Sequence, residues 1–130
     1  MFILFVSISL ISVSSLPLSF ADAPDAITDL NKSKLSSDTE IYLKWTAPAS
    51  DSSITGYKIE SAVETSFNNF AGYTTVAANT GNTAVAYTVT GLSEGDFLKF
   101  RVSAISSEGT GSTSNEFMTG TAHGAEDHSG

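Results

Sequence analysis

Two histidines stand near the carboxyl end, His123 and His128, with Glu126 and Asp127 between them. Imidazole and carboxylate ligate metals, but only where the chain fixes their geometry. These four follow the last apolar stretch and read as a solvated tail. The same position argues against Ser-His-Asp chemistry, whose base must be held rigidly beside its nucleophile. The chain has no cysteine, which removes a thiolate zinc site, a Cys nucleophile and a disulfide framework together. Paired carboxylates for glycoside hydrolysis need a cleft that raises one pKa, whereas Asp and Glu fall mostly in turns or on outward strand positions. No run resembles a calcium-binding loop. Gly109-Thr110-Gly111 reads as a hairpin connection and not as a phosphate cradle. The residues therefore point to no catalytic group, no metal and no cofactor.

What is left is binding chemistry. Lys58, Lys99 and Arg101 share the outward parity of their strands and gather three of the six bases. Such a face could meet an acidic partner, or the cations could simply pair across strands with Glu60. Tyr42 and Phe97 are also outward, and Tyr73 sits in an irregular region; sugar-binding modules align two or three such rings on one face. Asn31-Lys32-Ser33 is an acceptor sequon for N-glycosylation at Asn31. The segments Pro48 to Ile54 and Ser106 to Ser114 are loops that could vary on a rigid frame and carry binding.

These groups must be positioned by a chain of 130 residues, enough for one core. Fourteen acids against six bases give a formal charge of -8, which repels phosphate backbones and argues against nucleic-acid binding. No charge occurs from Met1 to Ala21. This apolar run ends at Pro17, and small residues follow that suit cleavage after Ala21 or Ala23. Residues 1–23 read as a secretory signal peptide, or as a membrane anchor if left uncleaved. The basic residues that usually open a signal peptide are missing.

Beyond it no helical stripe stands out. Ile41, Leu43 and Trp45 alternate with Tyr42 and Lys44, as on a strand with one buried face. Tyr57 and Ile59 alternate with Lys58 and Glu60, and Leu98, Phe100, Val102 and Ala104 with Lys99, Arg101 and Ser103. Tyr87 and Val89 mark another strand, Phe117 to Thr121 a last one, and Ile27 to Leu35 a first. Phe67 to Ala78 is looser, with Phe70, Tyr73 and Val76 as candidate buried positions. Asn79 to Thr83 is a turn, and Glu108 to Ser114 a flexible loop. About seven short strands separated by turn signals suggest an all-β sandwich.

Ala23-Pro24 ahead of Leu30, then Leu43-Lys44-Trp45-Thr46-Ala47-Pro48 and Ile54-Thr55-Gly56-Tyr57-Lys58-Ile59-Glu60, resemble the opening half of a fibronectin type III domain. Tyr87-Thr88-Val89-Thr90-Gly91-Leu92, then Gly95 and Phe100-Arg101-Val102-Ser103-Ala104, resemble its closing half. The resemblance implies a seven-stranded Greek-key β-sandwich over residues 24–121, with Trp45 in its core, followed by a tail or truncated linker over 122–130. Two positions depart from the family pattern. Glu94 stands where proline is usual, and Leu98 stands where a tyrosine would close the tyrosine corner with its hydroxyl.

The expected function is a non-catalytic interaction or spacer module of a secreted or cell-surface protein, in adhesion or envelope assembly. Its partner would be a protein or a cell-surface glycan, with membrane contact only through an uncleaved amino-terminal segment. The alternative is a carbohydrate-binding or accessory module beside a secreted polysaccharide-degrading enzyme.

Overall fold

A computed structural model describes residues 22–122. The expectations for Met1 to Ala21, and for His123, Glu126, Asp127 and His128, lie outside the described residues. Those described form strands and turns without a helix: β1 (Asn31–Lys32), β2 (Ile41–Lys44), β3 (Ile54–Ser66), β4 (Asn69–Phe70), β5 (Thr74–Ala77), β6 (Ala86–Val89), β7 (Phe97–Ser106), β8 (Gly109–Thr110) and β9 (Phe117–Gly120). One sheet has the order β1-β2-β6; the other has β4-β3-β7-β8, with β5 also on β3 and β9 also on β7. All pairings are antiparallel.

The two sheets face each other across the alternating apolar residues. Ile41, Leu43 and Trp45 from one side meet Tyr57, Ile59, Leu98, Phe100, Val102 and Ala104 from the other, all buried. Parity decides this, because successive side chains of a strand leave by opposite faces. Trp45 and Tyr57 sit edge to face at the centre, their rings 5.0 Å apart and inclined at 64°, a geometry that aromatic quadrupoles favour.

The expected first strand, Ile27 to Leu35, is mostly not a strand: only Asn31 and Lys32 pair, against Lys44 and Leu43. Its buried residues, Ile27 and Leu30, are three apart and break the two-residue period. Side chains supply some of the hydrogen bonds that a ladder would otherwise make. Asn115 accepts from the Leu30 N–H at 2.9 Å and donates to its carbonyl at 3.2 Å. Asp29 accepts from the backbone N–H of Thr46 at 2.9 Å and also binds its hydroxyl.

Two further expectations change. The segment Glu108 to Ser114 is a hairpin return and not a flexible loop, since Gly111 and Ser114 donate to the carbonyls of Ala104 and Val102 at 2.8 and 2.9 Å. Phe70 and Tyr73 are half-buried on the outer face, while Val76 packs against the core. The β3 strand overruns Ala62 and turns back at Phe67-Asn68, which carries Phe70 over the solvent side of the sheet.

Candidate interaction face

The pairing of β3 with β7 sets Glu60 opposite Arg101, Lys58 opposite Ser103 and Ala62 opposite Lys99. Lys58, Lys99 and Arg101 therefore lie on one outward face, and each is engaged there. Arg101 Nε donates to Glu60 Oε1 at 2.8 Å, and Lys58 Nζ lies 3.6 Å from Glu60 Oε2. Lys99 Nζ lies 3.4 Å from Glu116 Oε2. The arrangement continues through the aromatics. The Arg101 guanidinium stacks 3.9 Å from the centroid of Tyr73, whose hydroxyl donates to Glu116 at 2.7 Å. Lys99 Nζ sits 4.7 Å from the centroid of Phe70 and 5.5 Å from that of Tyr73, and Phe70 meets Phe97 at 6.4 Å.

Electrostatics follow from these contacts. The Arg101 hydrogen bond holds the Glu60 carboxyl below the usual carboxylate range, and the Tyr73 hydroxyl does the same for Glu116. Burial, then the hydrogen bond to Glu116, pushes the Tyr73 phenol up. At neutral pH both carboxylates are ionised and the phenol keeps its proton, so none is poised near 7 as general acid–base catalysis prefers. Outward the face is mixed: Phe97 and Met118 are 39% and 52% exposed, beside the ion-paired but solvated side chains of Lys58 and Glu116.

Glu116 and Met118 are not among the sequence candidates, and Phe70 is expected there as a buried position and not on this face. The outward parity of β9 would have found Met118, which pairs with Lys99. No local period marks Phe70, because the turn at Phe67-Asn68 decides its side. Tyr42 lies on the other sheet from Phe97, beneath Lys34 at 4.4 Å, and donates to Glu40 at 2.8 Å. Asn31 is exposed on β1, its side-chain oxygen accepting from the Lys32 N–H. The loops Pro48 to Ile54 and Ser106 to Ser114 share one end of the sandwich, where Ile54 pairs with Ser106. Among the described residues no group of His, Asp or Glu is arranged to hold a metal ion. Nor, among them, is any helix long and apolar enough to cross a membrane.

A two-sheet antiparallel sandwich with a central Trp defines a class of β modules. The family model of the fibronectin type III domain matches residues 25–119, and the chain belongs to that family. Among solved structures it is similar to domains A168-A170 from titin, at 30% identity and a TM-score of 0.66, covering 79% of this chain and 34% of that one. It thus spans about a third of that chain. The fibronectin type-III domain of human fibronectin type III domain containing protein 3 matches at 24% identity and a TM-score of 0.60, covering 86% of this chain and 98% of that one. The FN5 domain of Drosophila Lar matches at 22% identity and a TM-score of 0.60, covering 78% and 100%. These last two likenesses concern the fold. No curated protein sequence matches the chain.

Proposed function

We propose that the chain is a non-catalytic interaction or spacer module that works outside the cell, secreted or held at the cell surface or envelope. The observation that carries this reading is the state of the β3–β7 face. Its three cations and two carboxylates pair with one another, so that Phe97 and Met118 are the exposed apolar contacts of a face whose charges are already partnered. Such a face suits contact with another macromolecule, or simple spacing, better than proton transfer. The similarity to titin domains, solved as part of a longer chain, supports the spacer role.

One observation favours the second reading, a carbohydrate-binding accessory module. Phe70, Tyr73 and Phe97 do share one face, as stacking platforms for sugar rings do. Cations already lie over Phe70 and Tyr73, which leaves Phe97 as the more open ring and places the protein-contact reading first.

The test is retention of the full chain on cell-surface material, with Phe97→Ser and Met118→Ser as the perturbation. Retention lost with the urea midpoint unchanged supports a protein contact at this face. Retention on insoluble polysaccharide alone supports the second reading. Turnover of a hydrolase or transferase substrate panel by purified protein would overturn both.

A further inference from the structure

The chain carries no charge from Thr65 to Ser93, between Glu64 and Glu94. This run supplies both strands at one side of the sandwich, β5 and β6. Exposed strand edges invite pairing, and proteins blunt them with lysine, proline, bulges or covering segments. Three of the edges here carry such a device. Lys32 lies on β1, and Asn115 clamps the segment leading into it. Beside β9, the Ala122 N–H donates to the Ser37 carbonyl and ties that edge to the opposite sheet. Along β5 the register with β3 shifts at Ile59 and Glu60.

The β6 strand has none of these. Its register with β2 is unbroken from Ile41–Val89 to Lys44–Ala86, and no strand lies on its other side among the described residues. The Trp45 N–H donates to the Val85 carbonyl at 3.0 Å. Hydrogen-bonded pairs alternate along an antiparallel ladder, so Leu43–Tyr87 and Ile41–Val89 carry the remaining bonds. The N–H and C=O groups of Ala86 and Thr88 consequently face away from β2. Both side chains are exposed, and neighbouring Val85 is 37% exposed.

We propose that β6 pairs antiparallel with β6 of a second copy of this chain, joining two three-stranded sheets into one. About a two-fold axis through Tyr87, Ala86 of each copy exchanges both backbone bonds with Thr88 of the other. The strand is thus complementary to itself, as a two-fold interface requires. Charge selects the same edge. Copies bearing -8 repel one another, and this uncharged side is where they approach with the least opposing charge. The strand is short, so the dimer is weak and reversible.

Analytical ultracentrifugation of the full chain, run beside residues 22–122, which carry the core described above, tests this. A concentration-dependent dimer is expected. Thr88→Pro deletes an N–H that faces away from β2, and should raise the dimer Kd at least about tenfold with the urea midpoint little changed. Ala86→Lys should weaken the dimer as well, although it lowers the net negative charge and general repulsion alone would predict the opposite. If the proline variant does not fold, the lysine variant carries the test. A chain that stays monomeric to about millimolar concentration overturns the proposal, as does a dimer that neither variant weakens. A monomer that instead captures an added uncharged, extended peptide also overturns it.

Discussion

The hydroxyl of Thr121 donates to the carbonyl of Ser93 at 2.7 Å, fastening the end of the last strand to the turn that feeds β7. The Asp96 N–H donates to the same hydroxyl at 2.9 Å, and the Thr121 N–H returns to the Asp96 carbonyl at 2.9 Å. In the family pattern a tyrosine hydroxyl closes this corner from the position of Leu98. Leu98 fills the core and donates nothing, while a buried threonine just past β9 serves the turn.

Thr121→Val should therefore cost about 1–2 kcal/mol, since it removes a buried hydroxyl from two backbone partners. Leu98→Tyr should fail to stabilise the parent, because Thr121 already occupies the Ser93 acceptor and the larger ring must find room. In the Thr121→Val background the tyrosine should be better tolerated. A double-mutant cycle in urea reads the coupling, and strict additivity would contradict this account of the corner.

Acid should weaken the fold through Glu60 and Glu116. Both are held below their ordinary value of 4.5 in the folded chain. The unfolded chain then takes up protons first, so their stabilisation is complete above about pH 5 and is lost as pH falls through the ordinary value toward the depressed ones. Glu60→Gln should flatten this acid limb while leaving fluorescence and circular dichroism at pH 7 unchanged. A limb of the same steepness in the variant would remove Glu60 from the explanation.

Trp45 is buried, and its indole N–H has no hydrogen-bond partner among the described residues. Trp45→Ala should cost about 3–5 kcal/mol as a large-to-small core change. Trp45→Phe should cost only about 1–2 kcal/mol, because the smaller ring also removes a buried donor that lacks an acceptor. Equal losses for the two variants, measured by urea midpoint, would show that the indole itself is required.

A Cβ on Gly111 would stand 2.2 Å from the carbonyl oxygen of Pro24. Backbone cannot yield there as a flexible side chain would, so Gly111→Ala should displace the segment before Ile27 and cost about 1–3 kcal/mol. Faster amide exchange at Asp25, whose N–H donates to the Ala49 carbonyl, is the local signature. Unchanged exchange would mean that the hairpin moves instead.

The sequence by itself determined the sandwich and most of its core. Strict alternation at Ile41 to Trp45 and at Leu98 to Ala104 fixes which side chains leave by the buried face, and that rule is local. Parity also placed Lys58, Lys99 and Arg101 on one outward face. Pairing with Glu60 was legible too, but only the tertiary structure decided the rest of that face, because the other partners of those cations come from distant parts of the chain. Glu60 reaches Arg101 across a strand pair, while Tyr73 and Phe70 arrive by a hairpin whose turn sets their side of the sheet. The same holds for the segment before β1 and for the corner. In both, side chains far away in sequence, Asn115 and Thr121, satisfy backbone groups that a local reading assigns to a ladder or to a tyrosine. A hydrogen bond is met by whatever donor the fold brings within reach, and alternation along one strand carries no record of that donor.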